Sequence, residues 1–194
     1  MQVNDYQDLR VQRTITSIYD AFKQLICEKD YSKITVTELA RLARINKKTF
    51  YRYYPTLDDL LSELQAQYSK AYLDEIADLR YPRDLAKSVA AFFTYSASQG
   101  GAYDRITTCT VGSYVGIRQQ MINDVMTKTW GQSPEFNQLA DWQKQILLNF
   151  VEQTGLKVYT TWVANGRVEP LADVIRAATA LMQGGVTQYL NLTK

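Results

Sequence analysis

The sequence predicts an all-α chain in which an N-terminal unit of three helices joins a larger helical body. Three observations predict it. Apolar residues recur at helical spacing along most of the 194 residues, with no strand-like alternation of useful length. Residues that start and stop helices punctuate that pattern at short intervals. Two of the first three helices are separated by only a few residues, which is helix-turn-helix spacing.

Taken in order, Ile15, Ile18, Tyr19, Phe22 and Ile26 form one helical stripe and predict a helix over about residues 9–28. "KDYSK" breaks it. Thr35 and Glu38 have the spacing of a capping box, which places a second helix after Thr35 with Val36, Leu39, Ala40 and Ala43 on one face. Asn46 is the expected cap of a third helix, 47–54, and Pro55 stops it. Thr56 and Asp59 open a long helix to about residue 79, and "LRYPRD" is the junction to the rest. Further helices are expected over about 83–98, 102–111, 113–130, 139–164 and 170–190. Gly100-Gly101, Gly131 and Asn165-Gly166 act as stops, Pro170 as a first helical position, and 131–138 as a loop.

Composition bounds the function. With 46% apolar and 22% charged residues the chain can build a sizeable core. A formal charge of +2 points to no partner by itself, so a basic surface has to come from local clustering. Histidine is absent, and no phosphate-binding glycine loop, dinucleotide fingerprint or C-x-x-C pair occurs. No catalytic residue, metal ligand or cofactor is therefore expected, and the chain reads as a non-enzyme. Cys27 and Cys109 are too few for a disulfide framework and read as buried reduced thiols. "MQVNDYQDLR" has no apolar run, and no stretch of about 18 apolar residues exists, so a cytoplasmic protein with no membrane partner is the expectation by elimination.

The informative segment is "ARINKKTFYRYY". Between Leu39 and Leu57 lie five cations, Arg41, Arg44, Lys47, Lys48 and Arg52, and no acid. At about 100° per residue, Phe50 and Tyr54 face one way and Lys48 and Arg52 the other. Thr49 and Tyr51 flank the outer face. A solvated helix face is the common fate of a lone basic cluster, but this one lies on the second helix of a helix-turn-helix. Its cations suit phosphates, its Arg a guanine edge, and Thr49 a thymine methyl. Tyr51 and Tyr53 can reach backbone phosphates. Thr35 and Thr37 offer hydroxyl and backbone N–H contacts at a helix start.

"TVTELARLARINKKTFYRYYPTLDDLL", residues 35–61, resembles the DNA-binding signature of TetR-family transcriptional regulators. Thr35, Glu38, Leu39, Ala40, Ala43, Ile45, Thr49, Phe50, Tyr51, Tyr53, Leu60 and Leu61 match the pattern as they stand. Arg44 stands where a turn Gly is usual, which implies positive φ on a non-Gly residue and an added phosphate contact. Asn46 replaces a capping Ser, Lys48 a Gly and Tyr54 a Phe. Leu57 stands where a phosphate-binding Lys is frequent, so that contact is not carried over. "TTWVANGRVEP" resembles a W-x-x-x-G segment of some members.

The resemblance implies a helix-turn-helix DNA-binding domain over residues 1–60 and a helical effector-binding and dimerisation domain over 61–194. It implies a repressor that binds a palindromic double-stranded DNA operator as a homodimer through its last two helices. Leu147, Phe150, Val151, Thr154, Val158 and Thr161, with Ile175, Ala178, Met182, Gly185, Val186 and Tyr189, are the candidate stripes of those helices. An unknown small-molecule effector is implied, with Phe92, Tyr95, Tyr103, Arg118, Tyr159 and Trp162 as candidate pocket residues. The alternative is a co-activator or a helical ligand-binding or interaction protein of the same fold, acting through a protein partner rather than on DNA.

Overall fold

The structure is a computed structural model and describes residues 2–108 and 125–192. It begins with α1, Gln2–Glu28. This helix starts earlier than the apolar stripe suggests, because residues 2–8 hold no proline or glycine to break it. A 3-10 turn, Tyr31–Lys33, leads to α2, Val36–Leu42, and α3, Lys47–Tyr53. Helix α4, Leu57–Glu75, follows a full capping box in which Thr56 and Asp59 exchange bonds. It ends at Glu75 rather than near 79, and Ile76, buried, caps it with its N–H on the Tyr72 carbonyl.

Next come α5, Leu85–Ser98, and α6, Gly101–Thr108. Gly100, at φ +83°, reverses the chain between them in a conformation that costs a side-chain-bearing residue. Residues 125–130 form α7. Residues 131–138, expected as loop, contain a helical turn, α8, Pro134–Asn137. Its start is a Ser cap followed by Pro at the first position: Ser133 Oγ accepts the Phe136 N–H at 3.1 Å, and Phe136 is buried against Trp130. Helix α9, Asp141–Ala164, ends at Gly166, φ +79°, where the Arg167 N–H reaches back to the Trp162 carbonyl at 2.9 Å. Pro170 lies just before α10, Leu171–Leu192, and accepts the Asp173 N–H at 2.9 Å. No strand occurs among the described residues, and no helix there is long and apolar enough to cross a membrane.

A continuous apolar core runs from Ile18, Phe22, Leu39 and Phe50, through Leu60, Leu61 and Leu64 on α4, to Phe93, Trp130, Tyr159 and Met182. Helix α1 packs on both α2 and α6, and α10 packs on α5 and α9. Cys27, expected buried, is exposed and free, at the edge of the α1–α6 contact where a Cβ on Gly101 would lie 3.4 Å from its Sγ. Cys109 lies outside the described residues.

Asp84 organises the turn between α4 and α5. Its carboxylate accepts the Arg80 N–H at 3.0 Å and meets Lys87 at 3.0 Å and Arg83 at 3.3 Å. The Arg80 N–H first, and then Lys87, hold its pKa down to about 2. The folded value lies below the unfolded one of about 3.9, so the ionised form favours the fold above that pH and loses its contribution as pH falls toward 2. In thermal melts, the stability gap between the native chain and Asp84→Asn is expected to be constant above pH 5 and to shrink between about pH 4 and pH 2.

Candidate nucleic-acid interface

The second and third helices are fixed to one another by local chemistry. Thr35 Oγ1 accepts the Glu38 N–H at 3.2 Å, as a helix cap. The Glu38 carboxylate does not complete the box. It takes Lys29 Nζ at 2.6 Å instead, which ties the start of α2 to the end of α1 and neutralises the acid nearest the basic segment. Between α2 and α3 the Ile45 N–H reaches the Ala40 carbonyl at 2.9 Å, and Arg44 takes φ 56°. Ser17 on α1 donates to the Ala43 carbonyl at 2.7 Å and holds the turn from below.

Asn46 Oδ1 caps α3 on the Thr49 N–H at 2.7 Å and also accepts from the Thr49 hydroxyl at 3.0 Å. Phe50 is fully buried, with Tyr51 and Tyr54 rings 5.5 and 5.8 Å away. Tyr54 is buried beside Tyr19, their ring centroids 6.4 Å apart. Burial pushes both phenols up, so each remains a neutral packing group.

The opposite surface is what α3 presents. Arg41, Arg44, Lys47, Lys48 and Arg52 are all exposed, and none of them is in an ion pair among the described residues. Tyr51 is 54% exposed although its ring edge touches Phe50. Thr35, Thr37 and Asn46 are exposed, whereas Thr49 and Tyr53 are half-buried, Tyr53 against the core. The ten predicted residues all lie in α2, α3, their caps and the turn between them. Three of them, Thr35, Asn46 and Thr49, already hold the local fold. Arg44→Gly separates the turn's strain from its charge. It is expected to raise stability by about 1 kcal/mol by relieving positive φ, measured by urea unfolding, while weakening any duplex binding.

A cavity of about 110 Å³ lies deeper in the body, walled by α4, α5, α6, α7, α9 and α10. Phe92, Tyr95 and Tyr103 stand on its wall. Tyr159 stands behind it: its ring meets Phe92 and Tyr103, and its hydroxyl donates to Asp104 Oδ1 at 2.6 Å. Trp162 is held farther off by its Nε1–H bond to the Glu169 carbonyl and by the Arg167 guanidinium over its ring. Arg118 lies outside the described residues. Sequence reasoning passed over Tyr68, Tyr72 and Tyr81 on this wall. Tyr68 and Tyr72 extend the Leu61, Leu64 stripe of α4, which was the available signal.

On α9 and α10, five of the twelve candidate stripe residues belong to the chain's own core. Leu147, Val151, Ala178, Met182 and Val186 are buried. The large apolar residues left outside are Trp142, Ile146 and Phe150, at i, i+4 and i+8 on α9, and Leu181 and Leu192 on α10; of these only Phe150 belongs to the candidate stripe. At Gly185 a Cβ would sit 2.7 Å from the Phe150 ring, so close approach of these helices uses that glycine.

Comparison with known proteins agrees with this architecture. Residues 18–64 match the family model of bacterial regulatory proteins, tetR family. A curated relative, the uncharacterized HTH-type transcriptional regulator YxbF of Bacillus subtilis (strain 168), is 29% identical over 80 residues. That match covers 41% of this chain and spans only about a fifth (21%) of the relative's length. The solved transcriptional regulator FadR from Bacillus subtilis, in complex with stearoyl-CoA, has a similar fold, with a TM-score of 0.71 at 18% identity, over 88% of this chain and 98% of that one. The fatty acid degradation regulator FadR from Bacillus halodurans gives 0.66 at 18% identity, over 89% and 95%. The matched segment holds the capped turn, the positive-φ Arg44 and the Phe50-anchored helix, so over residues 18–64 the chain is similar to bacterial regulatory proteins of the tetR family.

Proposed function

We propose that this chain is a transcriptional regulator that binds double-stranded DNA through the outer face of α3. Residues 1–60 are its DNA-binding unit and 61–194 its effector-binding and dimerisation unit. The observation that carries the reading is the group of five exposed cations, without an ion pair among the described residues, around a helix pinned by Phe50. Lys47 and Lys48 meet phosphates, Arg44 and Tyr51 flank them, and Arg52 reaches a base edge or phosphate. Thr37 offers a further hydroxyl to the backbone, and Tyr53 its phenol from a half-buried ring.

The protein acts as a homodimer through α9 and α10. The row Trp142, Ile146 and Phe150 with Leu181 is large apolar surface that a second copy would cover. Two copies of α3 then reach successive major grooves on an inverted-repeat operator, about 34–36 Å apart. A small molecule in the cavity acts as the effector, as the stearoyl-CoA of the similarly folded FadR suggests. It shifts the tilt or spacing of the two recognition helices only by its differential affinity for the two states. Helix α6 is the route: Asp104 holds Tyr159 behind the cavity, and Arg105 donates to the Ile26 carbonyl of α1 at 3.2 Å. The outcome on DNA is release, so the regulator is a repressor.

Selection of duplexes from a random pool by the purified chain tests this. Inverted repeats with half-sites about one helical turn apart are expected. A pool without enrichment at low salt contradicts the DNA reading.

A further inference from the structure

We infer that Gly155 makes the seat for the cavity's guest: the missing side chain leaves the space in which a small apolar molecule, about the size of one aromatic ring, lies against the α9 backbone between Phe92 and Met182. This rests on the effector reading above. The inward row of α9 carries Leu147, Val151, Gly155, Tyr159 and Trp162, all buried, and the glycine is its one small member. Inside a helix, glycine is less favourable than any residue but proline.

Neither backbone nor packing demands it here. Gly155 has ordinary helical backbone in the middle of α9. Among the described residues, a Cβ there would meet only the tips of two flexible side chains, Met182 Cε at 3.8 Å and Phe92 Cε1 at 4.0 Å, both ordinary van der Waals contacts. Gly185 is the contrast, since its Cβ would fall 2.7 Å from the Phe150 ring. An alanine therefore fits at position 155 without strain, and what the glycine preserves is volume. Gly155, Phe92 and Met182 all stand on the wall of the 110 Å³ cavity, so a Cβ would point between two wall side chains into that space.

Size and class follow from the seat. A dry apolar cavity of roughly 150 Å³ is known to hold benzene, and this one, at about 110 Å³, has room for one ring and not for a long chain. A guest at the seat meets the Phe92 ring, the Met182 thioether and, one turn back on α9, Val151. Tyr72 and Tyr159 hold the Phe92 ring edge-on, with centroids 6.2 and 5.9 Å away. A guest seated there exchanges water for carbon and sulfur, which favours an apolar molecule. An aromatic one gains further from Phe92 and from the sulfur of Met182.

The test is calorimetric titration of the full chain with benzene and with indole, repeated on Gly155→Ala, Gly155→Leu and Gly184→Ala. Gly184, within α10, is the control: a Cβ there meets nothing within 4 Å, so its substitution carries the helix effect alone. The native chain and Gly184→Ala are expected to bind benzene equally, and more tightly than the two-ring indole. Gly155→Ala is expected to unfold at higher urea than the native chain and to bind benzene about tenfold more weakly, because its methyl overpacks a space the guest fills. Gly155→Leu, checked for native circular dichroism, is expected to bind no benzene. No benzene bound by the native chain, tighter binding of indole, or undiminished benzene binding by Gly155→Ala would each overturn the inference. So would unfolding of Gly155→Ala at lower urea, which would make the glycine a packing requirement. Duplex affinity is read on the same samples by fluorescence anisotropy. Benzene that binds without changing that affinity supports the seat and removes the guest's role as effector. Intact duplex binding with no benzene bound removes the inference and leaves the DNA reading standing.

Discussion

Replacing Lys48 or Arg52 by Ala is expected to weaken duplex binding and to flatten its dependence on salt. Each cation placed on a phosphate releases condensed counterions, and the slope of log affinity against log salt changes by about 0.9 per contact. In a homodimer each substitution removes two cations, so Lys48→Ala is expected to lower the slope by about two. Lys48 is exposed and outside any ion pair among the described residues, so its loss disturbs nothing in the fold. Arg52 separates the two roles a cation can have. If it meets a base edge, Arg52→Lys keeps the slope but loses about 1–3 kcal/mol of discrimination at one position. If it meets phosphate, Arg52→Lys is nearly silent and Arg52→Ala lowers the slope as Lys48→Ala does. Lys157, exposed on α9, serves as a control whose removal leaves the slope unchanged.

Phe50→Ala is expected to have the largest effect on stability of any change within the turn and its helices. Phe50 is fully buried, and deleting a buried Phe side chain costs about 3–5 kcal/mol in lost transfer energy and cavity. That is a large fraction of the stability of an ordinary domain, about 5–15 kcal/mol. Phe50 is also the one fully buried side chain of the seven-residue α3, which is too short to persist without packing. Duplex binding is therefore expected to fall below detection even where circular dichroism keeps most of its helical signal. Tyr54→Phe is the comparison. It retains the ring and removes the hydroxyl's long 3.4 Å contact to Tyr19 and its interaction with Glu63, so its cost is expected to stay within about 1–2 kcal/mol. Urea unfolding of the three chains, with hydrogen exchange of α3 amides, measures both.

The N-terminal helices were legible because their chemistry is local. Thr35, Asn46 and Thr56 each cap the helix that follows through a bond three residues ahead, which spacing alone can show. The inward Phe50 and outward Lys48 follow from helical periodicity, and the positive φ of Arg44 from a turn that ordinarily holds glycine. Non-local competition decided what was missed. Glu38 had a local partner available, and Lys29, just past the end of α1, took it. Helix α9 has apolar residues on more than one side, so periodicity could not separate Leu147 and Val151, which are core, from Ile146 and Phe150, which are surface. In the cavity, aromatic content was visible but depth was not. Phe92 stands on the wall and Tyr159 behind it, and only the packing of α6 against α9 distinguishes them.

The central claim is that the outer face of α3 enters the major groove of a duplex. Methylation interference on a selected operator tests it most directly, because guanine N7 lies in the major groove and adenine N3 in the minor. The account predicts that methylation at guanine N7 in both half-sites blocks binding while methylation at adenine N3 does not. Interference confined to adenine N3, or none at either position, would contradict it.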